Sequence, residues 1–487
     1  MQGTPHGHPG RIHQWLHRFE VDRAVSFALV ARAWQFVASP ITSLLIATFF
    51  SEETQGFYYT FWSLIGLQTF TDLGFQLVVI HVASHEWSEL TLNAQRVPEG
   101  SPGALARLAG LLRLVLAWYC AAAALFIPLV AVAGYVFFSR GSYPLPWVGP
   151  WLMLVVCAGA SLCVSPLVAF LEGCNQVVTV HRYRLWQAIT GNIAVWSLIL
   201  LGAGLWVACA ASLVQLAWEL YLVGIVYRRF WSTLLAIPAT GSGMAWTKDV
   251  WPLQWRVAVQ SIFHYFGYQI FVPVMFVHSP KLAGQMGMTW TILTACQTVA
   301  FTWLQTRTPR LGMLIARRQY GELDRLFWRL SAISFGVLSG LACAFTLGVA
   351  ALNGLPFHFP QRLAERLLDP VTVLVLSLGV VLVHVPRCWS VYLRAHKRDP
   401  LLVVFVVGNT ALGLAVFGLG GQFGALAASL GFTATVAFIL LPAAWLVWER
   451  CRREWHASSD LLPDPGQKDG RQYNGGEPMS TDKSERS

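Results

Sequence analysis

Four stretches of the chain, Ala121 to Phe138, Trp151 to Leu171, Ser331 to Leu352 and Leu401 to Trp448, carry no acidic or basic side chain at all. A soluble fold keeps one face of each element wet, so its apolar residues alternate with polar ones. About 20 unbroken apolar residues instead match the roughly 30 Å hydrocarbon core of a bilayer. Charged residues make up 12% of the chain and apolar residues 55%, against about 25% charged in soluble domains. The chain therefore reads as an all-α, polytopic membrane protein.

With the same ruler about twelve spans fit. They lie near residues 24–49, 57–82, 114–138, 148–171, 185–201 and 205–227 in a first half, and near 251–276, 285–305, 330–352, 371–391, 401–419 and 423–448 in a second. Turns at Gly202 to Gly204 and Gly418 to Gln422 separate neighbouring spans, because either joined segment exceeds about 40 residues and overshoots a single crossing. The expected organisation is a leader over 1–23, a six-helix bundle over 24–230, a linker over 231–250, a second six-helix bundle over 251–450 and a tail over 451–487. The tail is rich in Ser, Asp, Gly, Pro and Lys and buries too little surface to fold. The leader lacks the short apolar core of a signal peptide, so the first span is expected to be retained.

Positive charge collects on the cytoplasmic side of multi-pass proteins. With the amino terminus inside, the 34 Lys and Arg divide as 27 cytoplasmic, 4 exterior (Arg140, Lys281, Arg362 and Arg366) and 3 within spans. Both termini are expected in the cytoplasm. The net charge of +10 follows from this orientation and from attraction to anionic headgroups of membrane lipids, so no nucleic-acid partner is implied. The nine Cys fall in spans or on the cytoplasmic side with no CxxC pair, and His6, His8, His13 and His17 sit in the polar leader. Neither an exterior disulfide nor a metal centre is expected, and no cofactor. A GxxxxGK[ST] loop is missing from the sequence, which argues against ATP hydrolysis.

The halves also match each other. Shifted by 220, Leu154, Val155, Gly159, Leu162 and Pro166 fall on Leu374, Val375, Gly379, Leu382 and Pro386; shifted by 229, Thr60, Leu64, Gln68 and Thr69 fall on Thr289, Leu293, Gln297 and Thr298; shifted by 218, Leu105, Arg107 and Leu108 fall on Leu323, Arg325 and Leu326. The Gly and Pro matches weigh most, because they set close packing and a kink. Six spans per half make the repeats parallel, an arrangement in which transporters place a substrate site between the halves.

A charge at a helix centre costs about 2.5 to 3.5 kcal/mol on insertion scales and is rarely kept facing lipid. Polar residues inside spans therefore mark candidate sites. Arg32, Gln35, Ser39 and Ser43 share one face of the first span; Gln68, Asp72 and Gln76 share a face of the second; Arg256, Gln260 and His264 do so in the seventh, and Thr294, Thr298 and Thr302 in the eighth. The expected substrate-binding cavity is lined by Arg32, Gln35, Ser39, Gln68, Asp72, Gln76, Arg256, Gln260, His264 and Thr298. Glu219, His384 and Arg387 could line the cavity or pair structurally, and packing or snorkelling is the favoured reading for each.

Two segments carry a family resemblance. Ser51 to Glu86, SEETQGFYYTFWSLIGLQTFTDLGFQLVVIHVASHE, resembles the first exterior loop and second helix of polysaccharide and O-antigen flippase-like proteins of the multidrug, oligosaccharidyl-lipid and polysaccharide (MOP) exporter superfamily. FLEGCNQV, Phe170 to Val177, resembles the end of their fourth helix. The resemblance covers the amino-terminal half. It implies two bundles around a V-shaped cavity open alternately to each side, and translocation of a lipid-linked oligosaccharide across a bacterial inner membrane. On that reading Arg32 and Arg256 would hold a pyrophosphate head, neighbouring amides and hydroxyls the sugars, and Asp72 or His264 a proton or cation. A cation-coupled drug exporter of the same superfamily differs only in cargo and is the alternative. A membrane glycan ligase or glycosyltransferase fits less well, since the longest exterior loop, about Asn353 to Pro370, is short and leaves Glu365 and Asp369 unsupported.

Overall fold

The structure is a computed structural model that describes residues 23–141, 143–238, 251–396 and 398–460. The His-bearing leader, most of the linker and the end of the tail lie outside these residues, as does the side chain of Arg256.

The first half comprises α1 (Arg23–Phe49), α2 (Glu52–Asp72), α3 (Phe75–Trp87), α4 (Pro102–Phe138), α5 (Val148–Gly173), α6 (Val177–Leu200), α7 (Trp206–Val226) and the short α8 (Arg228–Ala236). The second comprises α9 (Trp251–Tyr268), α10 (Phe271–His278), α11 (Pro280–Gln305), α12 (Thr308–Ala316), α13 (Tyr320–Gly354), α14 (His358–Ala364), α15 (Pro370–Ala395), α16 (Leu402–Ala415), α17 (Gly421–Thr435) and α18 (Leu441–Asp460). The fold is all-α with one departure. A two-stranded antiparallel hairpin, β1 (Leu90–Leu92) and β2 (Pro98–Gly100), pairs Leu90 with Gly100 between α3 and α4.

Seven helices among the described residues are long and apolar enough to cross a bilayer, or eight when the bent pair α2 and α3 counts as one span. One of the seven runs continuously over Leu402–Trp455, 54 residues, which at 1.5 Å per residue would measure about 80 Å, far beyond one crossing. It is two spans. Gly424 sits at φ +80 and ψ −160, a conformation open to glycine alone at low cost. The reversal therefore falls a few residues after the expected Gly418 to Gln422 turn, whose residues continue the helix, Gly418 to Gly420 within a π turn and Gly421 and Gln422 in the next α-helix. The other expected turn holds, with Gly202 and Gly204 both at positive φ. α6, α9 with α10, and α11 cross as well but carry the polar stripes that lower their apolarity.

The two bundles repeat one packing plan. α1 packs on α6 as α9 packs on α16; α4 on α5 as α13 on α15; α5 on α7 as α15 on α17; and α3 on α5 as α11 on α15. α4 and α13 are both overlong, 37 and 35 residues, and they begin 218 residues apart, at Pro102 and Tyr320. Pro166 and Pro386 lie inside α5 and α15, and Gly159 and Gly379 each leave no room for a Cβ, against Ile127 and Phe432 respectively.

α2 and α11 meet on the axis relating the halves. A Cβ at Gly56 would lie 1.9 Å from the Pro280 carbonyl oxygen, so only glycine admits this approach. Gln55 Nε2 donates to the Gly284 and Arg366 carbonyls at 2.9 and 3.1 Å, Lys281 pairs with Glu52 at 3.0 Å, and Phe57 meets Phe276 edge-on at 5.0 Å. Arg366, on the segment after α14, reaches the Phe50 carbonyl at 2.5 Å; burial pushes its guanidinium down from its ordinary value, with Glu52 and Glu365 opposing. Deeper along the axis, Tyr265 donates to the Ser63 carbonyl at 3.0 Å and Phe70 packs on Tyr265 and Phe266. Beyond that level the halves part. Leu77 and His81 on α3 and Thr298, Trp303 and Gln305 on α11 are exposed. The interface is a wedge sealed at the end away from the termini and open at the other.

Candidate functional site

A cavity of about 550 Å³ opens inside the amino-terminal bundle, between α1, α2, α3, α5, α6 and α7. Its floor is a helical stripe on α6, where Arg184, Gln187, Ala188, Gly191, Asn192 and Val195 recur at i, i+3, i+4, i+7, i+8 and i+11, opposite Gln215, Trp218, Glu219 and Leu222 on α7. Gly191 keeps one turn of the floor low. Trp218 is steered by its indole N–H, which donates to Thr190 Oγ1 at 2.8 Å, and its ring meets Tyr183 edge-on at 5.6 Å.

The chemistry concentrates at Glu219. Its residue is 8% exposed; one carboxylate oxygen accepts from Gln215 Nε2 at 2.9 Å, while the other is buried without a partner, as is Asn192 Nδ2. A carboxylate at this depth is costly unless neutralised by a proton or a cation. Arg184 does not neutralise it at contact range, because it pairs with Glu172 at 2.5 Å near the mouth.

The expected site residues divide. Gln35, Gln68 and Gln76 line this cavity, and Gln76 Nε2 donates to Ser165 Oγ at 3.2 Å. Asp72 lies close by but its carboxylate is engaged in the helix break: it accepts the Tyr119 hydroxyl at 2.5 Å and the backbone N–H groups of Gly74 and Gln76. It thereby stabilises Leu73 and Gly74 in left-handed conformations, φ 47 and 67, where the 45° bend between α2 and α3 arises. Arg32 is exposed and Ser39 half-buried on α1, neither lining the cavity. In the second half Gln260 is half-buried, His264 exposed with its ring tilted against Tyr268 at 4.6 Å, and Thr298 exposed. The structure does not bring these to the amino-terminal cavity.

Glu219, for which the sequence favours packing over cavity lining, faces the cavity, and the α6 stripe is not among the expected site residues. The signal was available in the spacing, since Gln215 and Glu219 stand at i, i+4 inside an otherwise apolar span and face an amide-rich stripe on the preceding helix.

No protein-family model matches the chain, and no curated protein matches it. Solved structures do match. The crystal structure of MATE in complex with MaL6 superimposes at a TM-score of 0.52 with 12% identity, over 91% of this chain and 99% of the other. An outward-facing multidrug resistance MATE family transporter of the MOP superfamily gives 0.52 and 12%, over 91% and 98%; its inward-facing conformation gives 0.51 and 12%, over 87% and 99%. The chain has the fold of these transporters.

Proposed function

We propose that this chain is a cation-coupled exporter that works by alternating access, with Glu219 carrying the coupling ion. The observation that supports the coupling role is the unpartnered carboxylate oxygen of Glu219 inside the amino-terminal cavity. A proton or monovalent cation entering there removes a buried charge penalty and changes how α6 and α7 pack, which biases the wedge between the halves. The wedge, sealed at one end and open at the other, is the geometry one half of such a cycle requires. Its open end faces the cytoplasm if both termini lie there, as the distribution of Lys and Arg favours in a bacterial inner membrane.

The test is transport in proteoliposomes. A cationic dye should move against its gradient when a proton or sodium gradient is imposed, and Glu219→Gln should remove the gradient dependence while the protein stays monodisperse. Dye movement by the variant equal to that of the unaltered protein would overturn the assignment of Glu219.

A second reading, translocation of a lipid-linked oligosaccharide, is favoured by the resemblance of Ser51 to Glu86 and Phe170 to Val177 to flippase-like proteins. Its measurement is accumulation of lipid-linked glycan on the cytoplasmic leaflet when the gene is depleted. Gln35, Gln68 and Gln76, which line the cavity, and Thr298, exposed where the halves part, are the polar side chains we assign to contact with either cargo.

A further inference from the structure

Two arginines two residues apart on α6 meet different surroundings. Arg184 lines the amino-terminal cavity and pairs with Glu172. Arg182 is exposed, has no carboxylate partner among the described residues, and borders a second cavity of about 550 Å³ on the flank of α6 and α7. Its guanidinium lies over the Tyr183 ring, with Cζ 5.8 Å from the centroid. Trp186, Ala217, Trp218 and Tyr221 complete the lining, and Trp186 and Tyr221 are both exposed. At about 100° per residue, Arg182 stands on the opposite side of α6 from Gly191 in the cavity floor. Tyr183 and Trp218 line both cavities, so these two rings form a shared wall.

The chemistry of this outer groove changes with depth. Arg182 lies five residues into α6, and Tyr221 lies five residues before Val226, where α7 ends. Each is therefore about 8 Å from its helix end on the side of the termini, the depth of an interfacial layer about 5 to 8 Å thick. Along α6, Arg182, Trp186 and the exposed Ile193 recur at i, i+4 and i+11 on one face, with Ile193 about 16 Å further in. Along α7, Tyr221, Ala217 and the exposed Leu213 recur at i, i−4 and i−8. The surface runs from a cation through aromatic rings to aliphatic side chains. That is the order in which a phospholipid presents its phosphodiester, its glycerol esters and its acyl chains. A soluble anion gains nothing from the aromatic and aliphatic part, and in the plane of Arg182 the anionic groups of a bilayer are lipid phosphodiesters.

We infer that the groove between α6 and α7 is a binding site for an anionic phospholipid of the adjoining leaflet, a resident lipid and not a cargo. Arg182 takes the phosphodiester, Trp186 and Tyr221 flank the glycerol region, and Ile193 and Leu213 meet an acyl chain. The surroundings favour a headgroup of net negative charge over a zwitterionic one. Arg96 lies over the Tyr227 ring at 5.1 Å and donates to the Val226 carbonyl at 2.7 Å at this end of α7, and the exposed Arg228 and Arg229 open α8. A lipid seated here packs on the outer side of Tyr183 and Trp218, whose inner side borders the cavity of Glu219. The site lies outside the cavity and the wedge, and lipid retention is measured without transport, so the inference stands apart from the exporter reading.

The experiment titrates the full chain in detergent micelles with phosphatidylglycerol in one arm and phosphatidylcholine of the same acyl chains in the other, and reads retained lipid by native mass spectrometry. The unaltered protein should hold one phosphatidylglycerol about tenfold more tightly than phosphatidylcholine. Arg182→Gln should weaken phosphatidylglycerol about tenfold, equivalent to about 1.4 kcal/mol, and leave phosphatidylcholine nearly unchanged. Arg182→Lys should recover most of the loss, because a point charge keeps the attraction, and it guards against misfolding of the neutral variant. Trp186→Ala should weaken both lipids. Arg325→Gln removes an exposed arginine on α13 and should change neither. Equal retention of the two lipids by the unaltered protein would overturn the inference. So would unaltered phosphatidylglycerol retention by Arg182→Gln, or a matching loss in Arg325→Gln, which would reduce the effect to net charge.

Discussion

Gln68 and Gln297 occupy matching positions on the helices that meet at the axis between the halves, yet they face opposite chemistry. Gln68 borders an open cavity whose buried charge is the carboxylate of Glu219. Gln297 is closed onto the guanidinium of Arg387, and the space toward the far end of its bundle is filled by aromatic rings, with Phe271 stacked on Trp290 at 4.9 Å and Phe432 edge-on to both. One packing plan has been used twice, once around an acid and once around a base. The difference teaches that the repeat sets where helices cross, while a few side chains at the crossing decide which sign of charge each half can accept. In the second half His384 shows the same economy: it is fully buried, and its Nε2 is bonded to Ser334 Oγ at 2.8 Å.

The comparison breaks most visibly at Glu219. Replacing it with Gln is expected to slow gradient-driven export about a hundredfold, the rate equivalent of roughly 2.7 kcal/mol. Export by the variant at the unaltered rate would remove Glu219 from the coupling. The next largest effect is expected from Gln297→Glu. An acid placed against Arg387 forms an internal ion pair and should raise the unfolding temperature, whereas the same change at Gln68, which adds a second acid to the first cavity, should lower it, with thermal unfolding as the readout.

A third prediction concerns the seal. Gly56→Val drives a side chain into the Pro280 backbone, so the far end should open and the wedge should close at the termini. Spin labels at the exposed positions Phe49 and Phe357 should report a longer distance in this variant, and an unchanged distance distribution would remove the seal from the mechanism. The smallest effect is expected at Gly424, where alanine must adopt φ +80 at a cost of roughly 1 to 3 kcal/mol. Thermal unfolding should register that loss with export rates retained.

Unbroken apolar runs and the placement of 34 basic residues carry an all-α membrane fold in plain view, because a bilayer imposes both a length and an exclusion of charge on every crossing. The duplication was legible for the same reason: Gly159 with Gly379 and Pro166 with Pro386 are backbone requirements, which survive where side-chain identities drift. The polar stripes were legible as stripes. Their roles were not, because a helical period says which residues share a face but not what that face meets. Asp72 stands on the same stripe as Gln68 and Gln76, and only the fold reveals that Tyr119, 47 positions away in sequence, and the backbone of its own helix break take up its oxygens. Glu219 and Arg387 looked like interchangeable buried charges along the chain. Tertiary packing separated them, leaving one carboxylate oxygen without a donor beside an open cavity and seating one guanidinium on a buried amide in a bundle whose crossings hold no acid, since the cost of a charge in the membrane is set by its neighbours in space rather than by its position in a span.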